Sequence, residues 1–373
     1  MAKIGIYSDV HISRNSSILP MYINNNDIYT TRLNMCKDSI KWAYKQFEKE
    51  NVEYVVNCGD TFNSHTLSSD ELTTFNNVIN EIYDPIDNWK SYLDITIVGN
   101  HDKFNNSFNS LNMLSLTHHS LLINNYIYFD FIGWDGYAIS YFDSNEYVDK
   151  ILEMLNKYPR KNKKAILFMH GDINGSTLYG DKKIENRISS EFLTKYFDVI
   201  INGHIHCHEL IYNKNDKKIY NIGSLTSHSF ADSNDHYPAC WIFDTDTQEL
   251  ISYKNPHAIL FRSYNIFSEE DKLFMINDLQ HISNKIIVKI KCLLDMKNEL
   301  ENTLKLFPEI IKYKFIFKYN NEFKDNFIEN NIDLHNSSLN IKEEFLSFLS
   351  GREDLKDNID TYIKILDESK NEV

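Results

Sequence analysis

The sequence predicts an α/β fold. Short β-branched or aromatic runs recur along the first two-thirds of the chain, each run enters a polar turn holding Asp, Asn or His, and a helix-length amphipathic segment follows the turn. A chain of 373 residues, 42% hydrophobic and 25% charged, has room for one substantial globular domain and something smaller beside it. No apolar run approaches the roughly 20 residues that a bilayer-spanning helix needs, and the start from Met1 to His11 has neither the basic nor the apolar segment of a secretion signal. The expected location is therefore the cytoplasm, with no membrane partner. Cys36, Cys58, Cys207, Cys240 and Cys292 are odd in number, scattered and never in a CxxC pair, so they read as reduced thiols.

Taken in order, Lys3 to Tyr7, Tyr54 to Asn57, Ile95 to Val98, Ala165 to Met169 and Val199 to Ile201 read as strands, and each runs into a turn rich in potential ligands. Active sites of α/β folds sit at such carboxyl ends. Lys218 to Ile222 and Ala239 to Phe243 have strand composition that suits a sheet's remaining edge. The texture changes near Pro256: Ile286 to Lys291 and Ile311 to Tyr319 read as strands around a helix from Met296 to Leu306, a small β-α-β unit expected as a separate domain over 256–320. A polar linker from Asn320 to Ser338 then leads to two short amphipathic helices over 339–373. Asn340 with Glu343 resembles a helix-start capping pair and Gly351 a helix stop, while Leu355, Ile359, Tyr362, Ile363 and Leu366 line one face. That face suits a partner's groove or the chain's own small domain.

The strand-end turns are Asp9-Val10-His11, Gly59-Asp60, Gly99-Asn100-His101-Asp102, Met169-His170-Gly171 and Gly203-His204-Ile205-His206. A lone His at a strand end is more often structural, and Gly-Asp is common in turns, but five such turns in succession point to a metal site. Two divalent ions roughly 3.5–4 Å apart clamp a phosphate and generate hydroxide near neutral pH, and a carboxylate must bridge them to offset their repulsion. Asp60 is the candidate bridge. Asp9 and His11 alternate about a strand end and can reach one ion, and His204 and His206 repeat that spacing. Glycines before Asp60, Asn100 and His204 permit sharp turns.

These five elements, in this order, resemble the calcineurin-like metallophosphoesterase superfamily over about residues 1–250. The resemblance implies a two-sheet sandwich flanked by helices over 1–255, with an α+β cap domain and a helical tail after it. It also implies that Asp9, His11, Asp60 and His206 hold one ion while Asp60, Asn100, His170 and His204 hold the other. His101 then contacts the scissile phosphate and protonates the leaving oxygen, with Asp102 orienting its ring. Imidazole and carboxylate together suit manganese, iron, cobalt or zinc better than magnesium. His65, His118, His119, His208, His228, His236 and His257 match no motif and read as ordinary residues.

The superfamily spans phosphatases, phosphodiesterases and nucleases, so the site alone does not choose a substrate. Gly59-Asp60-Thr61-Phe62-Asn63 lacks the arginine of protein phosphatases and resembles the Gly-Asp-x-Phe of the SbcD nuclease subunits, as do Asn221-Ile222-Gly223-Ser224 and Ser229-Phe230-Ala231-Asp232. Leu225 replaces a usual Pro, Asp232 a usual Glu, and Asn63 a usual His or Asp. This resemblance implies a manganese-dependent DNA exonuclease and endonuclease, with DNA, an SbcC-like coiled-coil ATPase and a second copy of the chain as expected partners. A small-substrate or nucleotide phosphodiesterase, or a catalytically idle assembly subunit, are the alternatives. The net charge of −14 argues against a broad nucleic-acid surface, and the one basic cluster, Arg160 to Lys164, reads first as a solvated turn.

Overall fold

The computed structural model describes residues 2–23, 27–83, 93–105, 108–112, 120–131, 133–179, 182–185, 187–230, 237–319 and 322–330. The expected tail at 339–373, together with His118, His119, His236, Ala231 and Asp232, lies outside the described residues. Among the described residues no helix is long and apolar enough to cross a membrane.

The chain opens with β1 (Lys3–Tyr7), α1 (Thr31–Lys49), β2 (Tyr54–Asn57), α2 (Ser69–Ile82), β3 (Leu93–Ile97) and β4 (Ser120–Ile123). A second series follows: β5 (Tyr126–Phe131), β6 (Trp134–Ile139), α3 (Ser144–Lys157), β7 (Lys164–His170), the hairpin of β8 (Thr177–Tyr179) and β9 (Lys182–Lys183), α4 (Ser190–Tyr196), β10 (Val199–Gly203), β11 (Glu209–Lys214) and β12 (Lys217–Asn221). After β13 (Ala239–Asp244) and β14 (Leu250–Lys254) come β15 (Leu260–Ile266), α5 (Glu269–Gln280), β16 (Ile286–Cys292), α6 (Lys297–Leu304), β17 (Ile310–Tyr319) and β18 (Glu322–Asn330).

Two six-stranded sheets result, ordered β14-β13-β1-β2-β3-β4 and β11-β12-β10-β7-β6-β5. In the first, β1 to β4 run parallel; in the second, β6, β7, β10 and β12 do. The segments expected at sheet edges, β12 and β13, instead lie one strand in, because each folds back through a hairpin onto β11 or β14. Side-chain alternation explains the layering. Ile166 and Phe168 of β7 meet Ile4, Ile6, Val56 and Ile95 between the sheets, while Ala165, Leu167 and Met169 face Tyr147, Ile151 and Leu193 of α3 and α4. On the outer side of the first sheet, Tyr7 and Val55 pack against Ile40 and Phe47 of α1 and Phe75 of α2. A side chain at Gly5 would meet the Phe47 ring at 2.7 Å, so the helix rests on bare backbone there.

A third sheet, β15-β16-β17-β18, carries its own core of Met275, Leu279, Leu300 and Leu304 against Val288, Ile290 and Phe315. Its other face reaches Leu19 and Met35 through Ile259, Phe261 and Ile287. Three elements here, β15, α5 and β18, differ from the sequence expectation. Strand β18 occupies part of the expected polar linker, where backbone pairing with β17, rather than an apolar run, makes the strand. Helix α5 escapes a periodicity search because only Met275 and Leu279 are buried while Leu273 and Phe274 face outward.

One buried carboxyl makes stability depend on pH. Asp94 of β3 lies beneath α1 and accepts a hydrogen bond from the Tyr44 hydroxyl at 2.7 Å. Burial raises its pKa to about 8, offset only in part by that hydroxyl. The folded protein thus holds this proton more tightly than the unfolded chain, whose carboxyl titrates at about 4. The stability this supplies is complete below the unfolded pKa and is lost as pH rises through about 8. Asp94→Asn keeps an acceptor for Tyr44 and removes the ionisation. It should match wild type only near pH 3 and exceed it increasingly as pH rises above about 4, by a few kcal/mol near pH 9, as read by urea unfolding; an unchanged pH slope would refute this origin.

Candidate metal centre

The ligand-bearing turns all follow the carboxyl ends of parallel strands, β1, β2 and β3 in one sheet and β7 and β10 in the other, so they meet across one end of the sandwich. The backbone there is forced. Asp9, His11, Asp60 and His204 have φ of 52°, 47°, 51° and 75°, a left-handed conformation that costs non-glycine residues about 1–3 kcal/mol each when a site holds them in it. Gly59 reaches φ 104° beside the His170 ring, and a Cβ at Gly99 would fall 2.1 Å from Asp60 Oδ1. Glycine is required at the second position by close approach, not by its own torsion.

The first cluster comprises Asp9, His11, Asp60 and His206. His11 Nε2 faces His206 Nε2 at 3.2 Å and lies 3.5 Å from Asp60 Oδ2 and 3.8 Å from Asp9 Oδ1. Asp9 Oδ2 accepts from the His204 amide, whereas its buried Oδ1 has no hydrogen-bond partner and stands 4.0 Å from His206 Nε2. In the second cluster, Asn100 Oδ1 lies 3.0 Å from His170 Nε2 and 2.9 Å from His204 Nδ1, and Asp60 Oδ2 is 3.4 Å from His170 Nε2. His170 Nδ1 donates to the Cys58 carbonyl at 2.7 Å, which leaves Nε2 as the inward lone pair.

Buried oxygen and nitrogen acceptors therefore converge from several sides, an arrangement that repels itself unless a proton or cation lies among them. The electrostatics of the groups reflect this. Burial disfavours charge on His170, yet the Asp60 and Asp9 carboxylates raise it to about 9. Burial likewise pushes Asp60 up, but the imidazoles of His170, His11 and His101 outweigh it and hold the carboxyl below its ordinary range. The donor set, imidazole with carboxylate and one amide oxygen, fits divalent transition ions. Ligand atoms converge in three groups, His11-His206-His228, His11-Asp60-His101 and Asp60-His170-His204, and Asp60 belongs to two of them.

His101 and Asp102 differ from expectation in one respect. The His101 ring is exposed, 4.7 Å from that of His11, and its Nδ1 donates to the Asn63 carbonyl at 3.0 Å. Asp102 does not orient this ring. Its buried carboxylate accepts instead from the amides of Phe62, Gly99 and Thr61 at 2.9, 3.1 and 3.2 Å, tying the β2 and β3 turns together. Burial, then the nearby Asp60 charge, raises it to about 7 against the pull of those amides. Because Asn63 holds His101 through its backbone, its side-chain identity is not needed for that contact. The Leu225 amide, an N–H that proline would lack, donates to the Ser8 carbonyl at 2.9 Å.

Three residues that sequence reading passed over support the candidate ligands. Buried Arg32 donates to the carbonyls of Val10, His11 and Ser227 at 2.8, 2.9 and 2.7 Å. It also reaches His228 Nδ1 at 3.0 Å, and His228 Nε2 in turn donates to the Asp9 carbonyl at 3.1 Å. His228 was expected to be ordinary, yet its ring lies 4.5 Å from those of both His11 and His206. Asp172 accepts from His204 Nε2 at 3.1 Å and pairs with Arg187 at 3.2 Å, directing Nδ1 of His204 inward. Its position two residues after His170 was the one available signal.

A family model described as calcineurin-like phosphoesterase matches residues 2–208. No curated protein matches the chain. Among solved structures, a candidate 5′-nucleotidase from Staphylococcus aureus, in complex with alpha-ketoglutarate, is similar at 14% identity and a TM-score of 0.42. The similarity covers 68% of this chain and 53% of that one, so the chain spans about half the length of that protein. A dimetal phosphatase from Danio rerio is similar at 12% identity and a TM-score of 0.38, covering 68% and 99%. A hypothetical protein from Thermus thermophilus gives 9% identity and 0.38, covering 68% and 100%.

The Asp172–His204 contact carries a prediction. Asp172→Asn should weaken binding of one of two divalent ions by about 10–100-fold, the usual effect of losing a histidine's outer partner, while leaving the other unchanged. Titration calorimetry with manganese reads this directly; two unaltered affinities would show that the carboxylate does not set the histidine.

Proposed function

The chain belongs to the calcineurin-like phosphoesterase family, and from that premise we propose that it is a manganese-dependent DNA nuclease of the SbcD type acting through two ions. The observation that carries the two-ion reading is the placement of Asp60 Oδ2 at 3.5 Å from His11 Nε2 and 3.4 Å from His170 Nε2, between imidazoles carried by different sheets. Asp9, His11, Asp60 and His206 would hold one ion and Asp60, Asn100, His170 and His204 the other. When bound, such a pair supplies Lewis acidity toward phosphate oxygens and hydroxide near neutral pH.

The protein's own part is to position and to move a proton. His101, with Nδ1 committed to Asn63, presents Nε2 to solvent beside the clusters. As imidazolium it can bind a phosphate oxygen and pass the Nε2 proton to the leaving oxygen. Asp102 keeps the two turns that carry Asp60 and His101 in fixed relation. DNA as substrate is supported by Gly-Asp-x-Phe at Gly59 to Phe62 and by the segment after Gly223, which lies against the Asp9–His11 turn through Thr226 and Leu225. The SbcD resemblance further suggests that residues 339–373 dock on an SbcC-like ATPase, and deletion of that segment with a co-purification assay tests this separately.

Purified protein with manganese should hydrolyse bis-p-nitrophenyl phosphate and degrade end-labelled DNA. Hydrolysis of cyclic nucleotides but not DNA would favour the small-substrate alternative, and no hydrolysis at all the idle subunit. His101→Ala should retain both ions by elemental analysis yet lose about 10²–10⁴-fold in rate. Collapse of metal content would make His101 a ligand. Asp60→Ala should lose metal at both positions, and two retained ions would end the bridging assignment.

A further inference from the structure

Directly after Asp102, the segments 103–105 and 108–109 pair with each other and carry two exposed aromatic rings. Lys103 and Asn109 form an antiparallel bridge, the Phe104 and Asn105 amides donate to the Phe108 carbonyl at 3.0 and 3.1 Å, and the Phe108 amide donates to Asn105 Oδ1 at 2.9 Å. The base of this pair of segments is fixed to the site itself. The Ser110 amide donates to the Asp102 carbonyl at 2.9 Å, and Lys103 turns inward, donating to the Tyr141 carbonyl at 2.8 Å with its ammonium 4.6 Å from the Phe142 ring centre. Phe104 and Phe108 nonetheless remain 65% and 64% exposed. His65 joins them from the neighbouring turn, its ring 5.0 Å from that of Phe104 and tilted by 49°.

A single exposed phenylalanine needs no explanation. Two on one anchored pair of segments, with a third ring beside Phe104, are different because of where they stand. Phe104 is three residues beyond His101, and His65 is two beyond Asn63, whose carbonyl holds the His101 ring. Both segments that grip His101 thus end in exposed rings. A phosphodiester seated at His101 brings its flanking nucleosides to this rim, and an unpaired base offers a π-face that aromatic side chains bind without regard to sequence. A base inside a duplex keeps both faces covered by its stacked neighbours. The chemistry also suits a chain of net charge −14, which has little cationic surface from which to draw affinity by counterion release.

Resting on the nuclease reading above, we propose that Phe104, Phe108 and His65 form a stacking platform for the unpaired nucleobase next to the scissile phosphate, so that the bound substrate is a single-stranded DNA end.

The test uses the full chain with manganese, a short single-stranded oligonucleotide, the same oligonucleotide with an abasic site beside the cleaved linkage, and thymidine 5′-(p-nitrophenyl phosphate). Phe104→Ala/Phe108→Ala should keep wild-type metal content and melting temperature. Its KM for the intact oligonucleotide should rise about 10–100-fold, the loss expected for a stacking contact. kcat should change little. The abasic oligonucleotide should be as poor for wild type as the intact one is for the variant, and the variant should not distinguish the two. Phe104→Trp/Phe108→Trp should restore discrimination, and fluorescence of a terminal 2-aminopurine should be quenched by wild type and by the Trp variant but not by the Ala variant. Equal KM values for wild type and the Ala variant on the intact oligonucleotide overturn the platform while leaving the nuclease reading in place. A defect confined to the thymidine ester assigns the rings to mononucleotides and overturns the single-strand assignment. If wild type hydrolyses bis-p-nitrophenyl phosphate but neither binds nor cleaves DNA, the nuclease reading falls and the platform with it.

Discussion

The site depends on one shared carboxylate reaching between imidazoles that belong to different sheets. Asp60 follows β2 in the first sheet and His170 ends β7 in the second, so their 3.4 Å separation is set by how closely the sheets pack. That packing is apolar: Ile4, Ile6, Val56 and Ile95 against Ile166, Phe168 and Ile201, all essentially without solvent exposure. Core and site are therefore not independent. A change of volume between the sheets would alter ligand distances at their carboxyl ends before it touched any ligand, because close-packed interiors transmit small displacements.

The same constraint explains two buried charges of opposite sign. Left-handed residues at Asp9, His11 and Asp60 leave turn amides and carbonyls that no ladder satisfies. Asp102 gathers the amides of Thr61, Phe62 and Gly99, whereas Arg32 gathers the carbonyls of Val10, His11 and Ser227. An anion suits the first set and a planar cation with several donors the second. Each holds a strained turn in the shape that aims its ligands, which is why Asp102 serves the backbone rather than the His101 ring.

What could be read from the sequence followed from locality. Strand, turn and ligand lie within a few residues of one another at Asp9, Asp60, Asn100, His170 and His204, so hydrophobic runs and glycine positions placed them together before any coordinates did. The supporting groups lack that locality. Arg32 sits 22 residues from the Val10 carbonyl it holds and 195 from that of Ser227, and Asp172 acts on a histidine 32 residues away. Nothing in a one-dimensional pattern joins them. The third sheet was legible where its elements carry apolar runs, at β16 and β17, and illegible at α5, whose outward Leu273 and Phe274 erase the helical period.

The acidic balance of the chain bears on substrate through position rather than total charge. The one dense basic cluster, Arg160 to Lys164, lies at the amino end of β7, opposite the ligand turns, where Arg160 pairs with Asp198 and the amides of Lys161 and Asn162 bind Asp135. It braces a turn at the wrong end of the sandwich to guide a phosphate to Asp60. Under the two-ion reading, bound ions would add to the positive charge of Arg32 and Arg187 at the site, and such a field acts over short range because mobile salt screens charge beyond about 8–10 Å. A centre of that kind grips the scissile phosphate itself and adds little hold on a long duplex. Under the proposed function, recognition falls on contacts within one or two nucleotides of the cleaved bond, and the exposed rings beside His101 lie within that reach.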